Sequence, residues 1–475
     1  MTEFAEIGLI GLGVMGSNLA LNIAEKGSRI AVFNRTPSRT REFISEAGAL
    51  SERIIGCETV EAFVAAIRPP RPIIIMIKAG EAVDQQIDAL MPFLSSGDIM
   101  IDAGNANFRD TMVRFERLKD TGLTFIGMGV SGGEEGARHG PSIMVGGTPE
   151  AYARVEKVLS SIAARYEGDP CCAWLGEGGA GHFVKTIHNG IEYADMQMIA
   201  EIYGILRDGL GMSAPEIGAI FDGWNKGRLN SYLIEITGKV LAAMDPLTGK
   251  PMVDMIVDMA GQKGTGRWSA IEAQQMGVPA TAIEAAVAAR SLSAMKAERE
   301  TAEPIFAAEH SAFRLPEGHA LEADLELALF AAKIAAYAQG FAVMAAASRE
   351  FGWSLPMPTI ARIWRAGCII RSQFLDDIMR AFTAMPDATN LIVTPAFTGM
   401  VNLSLPSLRR VVAAAVTLGL PVPALSSALS YFDAYRQARG TANLIQAQRD
   451  FFGAHGFQRI DGVARPHGPW GSGEV

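Results

Sequence analysis

The sequence predicts an α/β Rossmann-type N-terminal domain, a large all-α C-terminal domain and a short C-terminal tail. Apolar strand-like segments alternate with helical patterns at first, and a G-x-G-x-x-G motif follows the first strand. From Gly178 this alternation stops, and long helical patterns rich in Ala, Leu, Ile and Met follow. We therefore expect domains at 1–177 and 178–440, and a tail at 441–475.

Length, composition and charge exclude several classes of protein. The 475 residues are enough for two or three domains, and 49 % hydrophobic with 20 % charged residues indicates a globular chain. A net charge of −9 argues against nucleic-acid and anionic-membrane partners. Four Cys without a C-x-x-C pair suit a reducing compartment without structural zinc. With no basic segment at the start, and with the longest apolar helical segment, 334–347, too short to span a bilayer, we expect a cytoplasmic location.

The elements of the first domain can be placed in order. Strands are predicted at 6–10, 29–33, 73–77, 98–102 and 123–126, and helices at 17–26, 81–94 and 108–119. In Gly11-Leu-Gly13-Val14-Met15-Gly16, the first two glycines let the backbone turn and approach a pyrophosphate, and the third lets helix pack on strand. The motif predicts dinucleotide binding, against the alternative of a tight turn alone.

The end of the second strand distinguishes NAD from NADP. A carboxylate there would bind the ribose 2′-hydroxyl, but the chain has Asn34-Arg35-Thr36. Arg35 can pair with a 2′-phosphate, so we expect NADP. The alternative is a surface Arg in a turn.

Further polar segments follow the later strands, at the edge where ligands of such sheets bind. Lys78-Ala79-Gly80 and Asn105 come directly after two of them. After the fifth, a loop from Gly129 containing Ser131-Gly132-Gly133 offers backbone N–H groups and a hydroxyl to an anionic or hydroxylated ligand. The alternative is an ordinary glycine turn.

The stretch from Gly178 to Asp208 contains the most informative pattern. Read as a helix, it places a possible base, an imidazole, an amide and a possible acid at i, i+3, i+4 and i+7 of one face: Lys185, His188, Asn189 and Glu192. Spacing alone leaves a structural ion pair and a catalytic face equally open. Farther on, Lys263 in a Gly-Thr-Gly loop can reach a phosphate, or is a solvated residue of a helix connection. The last residues form a tail of a kind that is usually disordered unless it is tied to another surface.

Together these motifs identify a family. The chain resembles the decarboxylating 6-phosphogluconate dehydrogenases, in their long homodimeric form, over nearly its full length. The motifs that carry the resemblance are Gly-Leu-Gly-Val-Met-Gly16, Asn-Arg-Thr36, Lys-Ala-Gly80, Gly-Asn105, Val-Ser131-Gly-Gly-Glu-Glu-Gly-Ala, Lys185-Thr-Ile-His-Asn-Gly-Ile-Glu-Tyr193, Trp224-Asn-Lys-Gly, Gln262-Lys-Gly-Thr-Gly266 and Arg449-Asp-Phe-Phe-Gly-Ala-His455.

The resemblance implies an enzyme of the pentose phosphate pathway and of gluconate utilisation. The implied reaction is the oxidative decarboxylation of 6-phospho-D-gluconate to D-ribulose 5-phosphate with NADP⁺ and without a metal, with Lys185 as the base and Glu192 as the acid. The resemblance implies cofactor contacts from Gly11, Gly13, Val14, Met15, Gly16, Asn34, Arg35, Thr36, Lys78, Ala79 and Asn105. It implies substrate contacts from Asn105, Ser131, Gly132, Gly133, His188, Asn189, Tyr193, Lys263, Thr265, Arg290, Arg449 and His455. It also implies a homodimer in which each tail, with Arg449 and His455, reaches the partner's site.

Departures from the family pattern leave the chemical groups in place. Ala103 replaces a usual Gly, Arg267 stands where Lys is common, Arg228 and Asn230 alter the segment after Trp224-Asn-Lys-Gly, and Met144-Val-Gly-Gly lacks the usual Pro.

Two rival functions are a non-decarboxylating β-hydroxyacid dehydrogenase, which would be shorter and lack the tail, and an inactive NADPH-binding sensor, which would have lost Lys185 or Glu192.

Overall fold

A computed structural model describes residues 4–306 and 312–470. The chain forms two compact units, Met1–Ala428 and Leu429–Val475. The division into domains at 1–177, 178–440 and 441–475 stays a prediction.

The first 174 residues alternate between strands and helices, as the apolar segments predict. The elements are β1 (Ile7–Ile10), α1 (Val14–Glu25), β2 (Ile30–Phe33), α2 (Pro37–Glu46), β3 (Ile54–Cys57), α3 (Val60–Ala65), β4 (Pro72–Ile75), α4 (Glu81–Leu90), β5 (Ile99–Asp102), α5 (Phe108–Leu118), β6 (Thr124–Val130), α6 (Gly133–His139), β7 (Ile143–Val145), α7 (Pro149–Ile162), β8 (Arg165–Tyr166), β9 (Asp169–Pro170) and β10 (Cys172–Trp174).

Eight of these strands form one sheet in the order β10-β7-β6-β5-β4-β1-β2-β3. The six strands from β6 to β3 in this order run parallel to one another. Strand β7 pairs antiparallel to β6. Helices cover both faces, so Ile7 and Leu9 enter one core while Ile10 and Ile73 enter the other. Burial on both faces explains why these strands are continuous apolar segments instead of alternating ones.

The rest of the first unit is helical. Its helices are α8 (Ala180–Gly204), α9 (Ala214–Trp224), α10 (Tyr232–Ala242), α11 (Thr265–Gln275), α12 (Thr281–Ser293), α13 (Lys296–Ala302), α14 (Leu321–Phe351), α15 (Met357–Ile363), α16 (Phe374–Ala384) and α17 (Pro395–Thr417), followed by α18 (Pro423–Tyr435). A π-helical turn, Ile205–Gly209, extends α8. The fold is therefore the one that the sequence predicts.

Helix α14 is longer than the apolar segment 334–347 suggests. Its 31 residues give it the length and apolar composition of a membrane span, so the expectation that it is too short is wrong. However, 89 % of its apolar window is buried in the protein, as in a core helix. A Cβ at Gly340 would lie 2.6 Å from the Ile191 side chain, so this glycine lets α14 pack closely on α8.

The second unit contains α19 (Ala442–Gly453) and an irregular segment that folds back on it. The buried Asp450 carboxylate accepts hydrogen bonds from Gly456 N (2.9 Å), His467 Nδ1 (2.7 Å), Gly468 N (3.0 Å) and Trp470 Nε1 (3.0 Å). These hydrogen bonds hold the segment up to Trp470 against α19. The sequence could not predict this arrangement of the tail, because four donors from other parts of the segment meet on one side chain.

Candidate active site

The glycine motif lies at the carboxyl edge of the sheet, where β1 is paired with β4 on one side and β2 on the other. Gly11 has a φ of +100°, and Gly13 precedes the first turn of α1. Gly13 is exposed, and a Cβ built on it would meet no atom within 4 Å. A Cβ on Gly16 would lie 1.9 Å from the Gly11 oxygen, so only Gly allows α1 to start here. This open surface at a helix N-terminus fits a dinucleotide pyrophosphate.

The neighbouring residues lie along the same edge of the sheet. Val14 is exposed and Met15 half-buried. The Asn34 side chain accepts from Leu12 N (3.1 Å) and so fixes the glycine loop against the end of β2, while Arg35 and Thr36 are exposed. Sequence reasoning missed Arg39, whose Nε donates to the Leu12 oxygen (3.2 Å). Its position four residues after Arg35 could have indicated a second cation at this corner.

Lys78 and Ala79 follow β4, and the exposed Asn105 follows β5. The buried Arg114, which the sequence gave no reason to select, joins these two turns. Its guanidinium donates to Gly80 O (3.0 Å), pairs with Asp84 (2.8 Å) and lies 3.4 Å from Asp102 Oδ2. The two segments are therefore held together next to the glycine loop.

The predicted face of α8 is present and forms one hydrogen-bonded cluster with Ser131. Lys185 Nζ donates to Asn189 Oδ1 (2.8 Å) and to Ser131 Oγ (3.1 Å). His188 contacts Asn189 Oδ1 through Nδ1 (3.1 Å) and Ser131 Oγ through Nε2 (3.2 Å). Because an amide oxygen only accepts, Nδ1 carries the proton and Nε2 accepts from the Ser131 hydroxyl. The four side chains close a ring.

Glu192 lies one turn farther along α8, with its Oε2 3.8 Å from His188 Nδ1. Its side chain is 21 % exposed, whereas Lys185 is 7 % exposed and His188 is fully buried. The carboxylate is thus the member of this face that is most open to a ligand.

Burial shifts the pKa values of Lys185 and Glu192 in opposite directions. It lowers the pKa of Lys185, against the opposing effect of the Glu192 charge. It raises the pKa of Glu192, although Lys185 and Arg290 act in the other direction. It also lowers the pKa of His188 well below the usual value, helped by the Lys185 charge, so this imidazole is neutral. A Lys with a lowered pKa and a Glu with a raised pKa suit a base and an acid.

The loop expected around Ser131 is shorter than predicted. Gly129 and Val130 belong to β6, and α6 begins at Gly133, so only Ser131 and Gly132 connect them. Ser131 is buried, and Gly132 adopts a left-handed conformation with a φ of +104°. The pairing of β6 with β7 extends the strand, and a short apolar segment could not reveal that long-range pairing.

Tyr193, next to Glu192 in α8, packs against Arg290 and against the start of α11. The Arg290 guanidinium lies 3.6 Å from the centre of the Tyr193 ring. Thr265 begins α11 after Gly264, and a Cβ on Gly266 would lie 2.4 Å from the Tyr193 ring. Lys263 is exposed just before this helix. The site therefore has a cationic side at the N-terminus of a helix.

Arg449 and His455 belong to the second unit and stay predictions as site residues. Arg449 lies in α19, where its Nη1 donates to Gln446 Oε1 (3.2 Å), and His455 is exposed just after the helix. Across residues 4–306 and 312–470, no group of three or more His, Cys, Asp or Glu side chains is arranged to hold a metal ion.

Two family profiles cover the chain. Residues 6–176 match the NAD binding domain of 6-phosphogluconate dehydrogenase, and residues 181–470 match the 6-phosphogluconate dehydrogenase C-terminal domain. The proteins most similar in sequence include a decarboxylating 6-phosphogluconate dehydrogenase of Chlamydia pneumoniae, 48 % identical over 97 % of this chain and 96 % of that protein. Bacillus subtilis has an NADP(+)-dependent relative (48 % identity, 98 % and 99 % coverage) and an NAD(+)-dependent one (45 %, 98 % and 99 %).

The structural comparison agrees. The Plasmodium falciparum 6-phosphogluconate dehydrogenase, solved in its apo form and with NADP+ and 6-phosphogluconate, superimposes with a TM-score of 0.94 at 42 % identity. The match covers 98 % of this chain and 100 % of that one. The chain belongs to the 6-phosphogluconate dehydrogenase family.

Proposed function

We propose that this protein oxidises and decarboxylates 6-phospho-D-gluconate, giving D-ribulose 5-phosphate, carbon dioxide and NADPH from NADP⁺. The observation that carries the proposal is the pairing of Lys185 and Glu192 on one face of α8, with their pKa values moved in opposite directions by burial. The family and the NADP(+)-dependent relatives support the same reaction.

The residues of α8 supply acid–base catalysis in two stages. Lys185 takes the proton of the 3-hydroxyl as the C3–H bond breaks, and its ammonium then polarises the 3-keto oxygen while the C1 carboxylate leaves as carbon dioxide. Glu192 gives its proton to the carbon that has lost carbon dioxide, which becomes C1 of ribulose 5-phosphate. NADP⁺ held at this site would supply the hydride acceptor for C3.

Ser131, His188 and Asn189 hold Lys185 and bind the hydroxylated part of the substrate. Asn189 Oδ1 and Ser131 Oγ each accept from Nζ, which restricts the flexible Lys side chain to one direction. The neutral His188 orients the Ser131 hydroxyl. Asn105, Gly132 and Gly133 complete this side of the substrate site, and Lys263, Thr265, Arg290 and Tyr193 bind the phosphate end.

In this proposal, residues at the carboxyl edge of the sheet would hold the cofactor. The glycine motif and the N-terminus of α1 bind the pyrophosphate, and Arg35 binds the 2′-phosphate with Asn34 and Thr36. Lys78, Ala79 and Asn105 contact the nicotinamide half. NADP is the expected cofactor because no carboxylate follows β2.

The protein acts as a homodimer in this account, with Arg449 and His455 reaching the partner's substrate. Support comes from the second unit, where Leu444, Ile445, Phe451 and Phe452 are 58–72 % exposed. An apolar surface of this kind on a small unit fits burial against a second chain. We also propose a cytoplasmic location.

Incubation of the purified protein with 6-phosphogluconate and NADP⁺ tests the reaction, with NADPH absorbance and carbon dioxide followed together. The proposal requires equal amounts of the two products and NADP⁺ preferred over NAD⁺. NADPH without carbon dioxide would indicate the non-decarboxylating dehydrogenase. Cofactor binding without turnover would indicate the sensor.

A further inference from the structure

An ion pair connects the cofactor side of the site to the helix at its phosphate end. Arg109 Nε donates to Glu272 Oε1 (2.9 Å), and its Nη2 donates to Glu272 Oε2 (2.7 Å) and to Gln275 Oε1 (2.5 Å). Arg109 lies in the first turn of α5, 163 residues away from Glu272 on α11. The Glu272 side chain is 4 % exposed and that of Arg109 is 47 % exposed.

The Arg109 end of this pair lies close to Asn105 in the chain. The turn between β5 and α5 is fixed at its start by Gly104 N, which donates to Asp102 Oδ1 (3.0 Å). At its other end, the Asn107 side chain accepts from Arg109 N (3.0 Å). The exposed Asn105 lies between these two points, so its position depends on where Arg109 is held.

The Glu272 end is fixed to the catalytic helix. Ser269 Oγ donates to the Thr186 oxygen of α8 (2.5 Å), and a Cβ on Gly190 would lie 2.5 Å from that same Ser269 Oγ. Since Thr265 begins α11, the Arg109–Glu272 pair is a direct side-chain link between the segment that carries Asn105 and the helix that carries Thr265.

The pair suits such a role because it is directional. Two guanidinium nitrogens meet two carboxylate oxygens, which fixes the angle as well as the distance. The buried Glu272 carboxylate has no other cation within salt-bridge distance in the described residues. Loss of Arg109 would leave that charge uncompensated and remove this link between α5 and α11.

We propose that Arg109 and Glu272 are positioning residues, which set the separation of Asn105 and Thr265 so that one substrate molecule contacts both. This inference rests on the proposed function, because it takes Asn105 and Thr265 as contacts to opposite ends of 6-phosphogluconate. In the proposed function the cofactor contacts Asn105 but not Thr265, so it does not bridge the two. The pair therefore acts on substrate affinity more than on cofactor affinity.

The test compares Arg109→Gln, Arg109→Lys and a control, Arg117→Gln. Arg117 is 42 % exposed on the same helix and pairs with Asp88, inside the α/β part alone. We expect Arg109→Gln to raise KM for 6-phosphogluconate about five- to tenfold, with less than about a twofold change in KM for NADP⁺. Arg109→Lys keeps the charge but not the two-nitrogen contact, so its KM for 6-phosphogluconate should lie between those of the parent and of Arg109→Gln. The control should match the parent.

Calorimetric binding of 6-phosphogluconate gives a readout that does not need turnover. If the parent protein binds 6-phosphogluconate without converting it, the proposed function is refuted. The Arg109–Glu272 pair can then still be tested by substrate affinity. Adding Glu272→Gln to Arg109→Gln should change the affinity little further, because both changes break one interaction. Parent-like affinity and KM in Arg109→Gln, with only a lower Tm, would show a merely structural pair and overturn the inference.

Discussion

Lys185 Nζ lies 3.1 Å from the Ser131 hydroxyl oxygen, which joins the catalytic helix to the end of β6. The hydroxyl accepts from the Lys and, through its own proton, donates to the neutral His188. Since an ammonium is a stronger donor than an amine, Ser131 stabilises the protonated Lys more than the neutral one.

Ser131→Ala should therefore lower the pKa of Lys185 further. The acidic limb of the kcat/KM profile reports the group that must lose a proton, so it should move to lower pH while the maximal rate falls. Thr at this position keeps the hydroxyl and is the control. A profile whose acidic limb stays in place in Ser131→Ala would show that the hydroxyl does not act on Lys185.

Glu192→Gln should lose at least ~10² in overall turnover, because the amide has no proton to give to C1 of the enediol. The fold should remain intact, since the Glu192 side chain is partly exposed. Glu322→Gln, an exposed carboxylate at the start of α14, is the matched control. Ribulose 5-phosphate formed at the parent rate in Glu192→Gln would make Glu192 only a structural partner of Lys185.

Arg35→Ala should raise KM for NADP⁺ and leave KM for NAD⁺ nearly unchanged. The lost contact to a 2′-phosphate is charge-assisted and has a magnitude of about 1.5–3 kcal/mol. Arg41→Ala, on the helix that follows, removes an exposed Arg paired with Glu58 and should change neither constant. Equal effects of Arg35→Ala on both cofactors would show that Arg35 does not recognise the phosphate.

The tail in trans is tested by mixing two inactive variants, one with Lys185→Met and one with Arg449→Ala and His455→Ala. If each tail contributes to the partner's site, one site of the heterodimer contains all three substitutions and the other site contains none. Activity should then return, with up to about half the sites of each heterodimer active. Mass spectrometry must show that subunits exchange. Exchange without recovered activity would place the tail in its own subunit's site.

The parts of the fold that the sequence predicts are those determined by local pattern. The strand, glycine turn and helix around Gly11 follow from spacing alone, and so does the shared face of Lys185, His188, Asn189 and Glu192. Contacts between distant segments were not predictable. The antiparallel β7 lengthens its neighbour β6, and no local pattern shows that pairing.

The same limit applies to single side chains in each of the two units. Arg114 is an unremarkable helix residue in the sequence, yet it joins the turns after β4 and β5. Asp450 looks like a solvated carboxylate, yet it orders the end of the chain through His467 and Trp470. Both depend on side chains that converge only in the folded protein, which periodicity cannot encode.

The most direct test of the account is the turnover of Lys185→Met with 6-phosphogluconate and NADP⁺. Met keeps the length of the side chain but has no nitrogen to accept the proton of the 3-hydroxyl. We expect turnover to fall by at least ~10³, while NADP⁺ still binds. Lys239→Met, which removes an exposed Lys on α10, should behave as the parent. Near-parental turnover in Lys185→Met would contradict the assignment of Lys185 as the base.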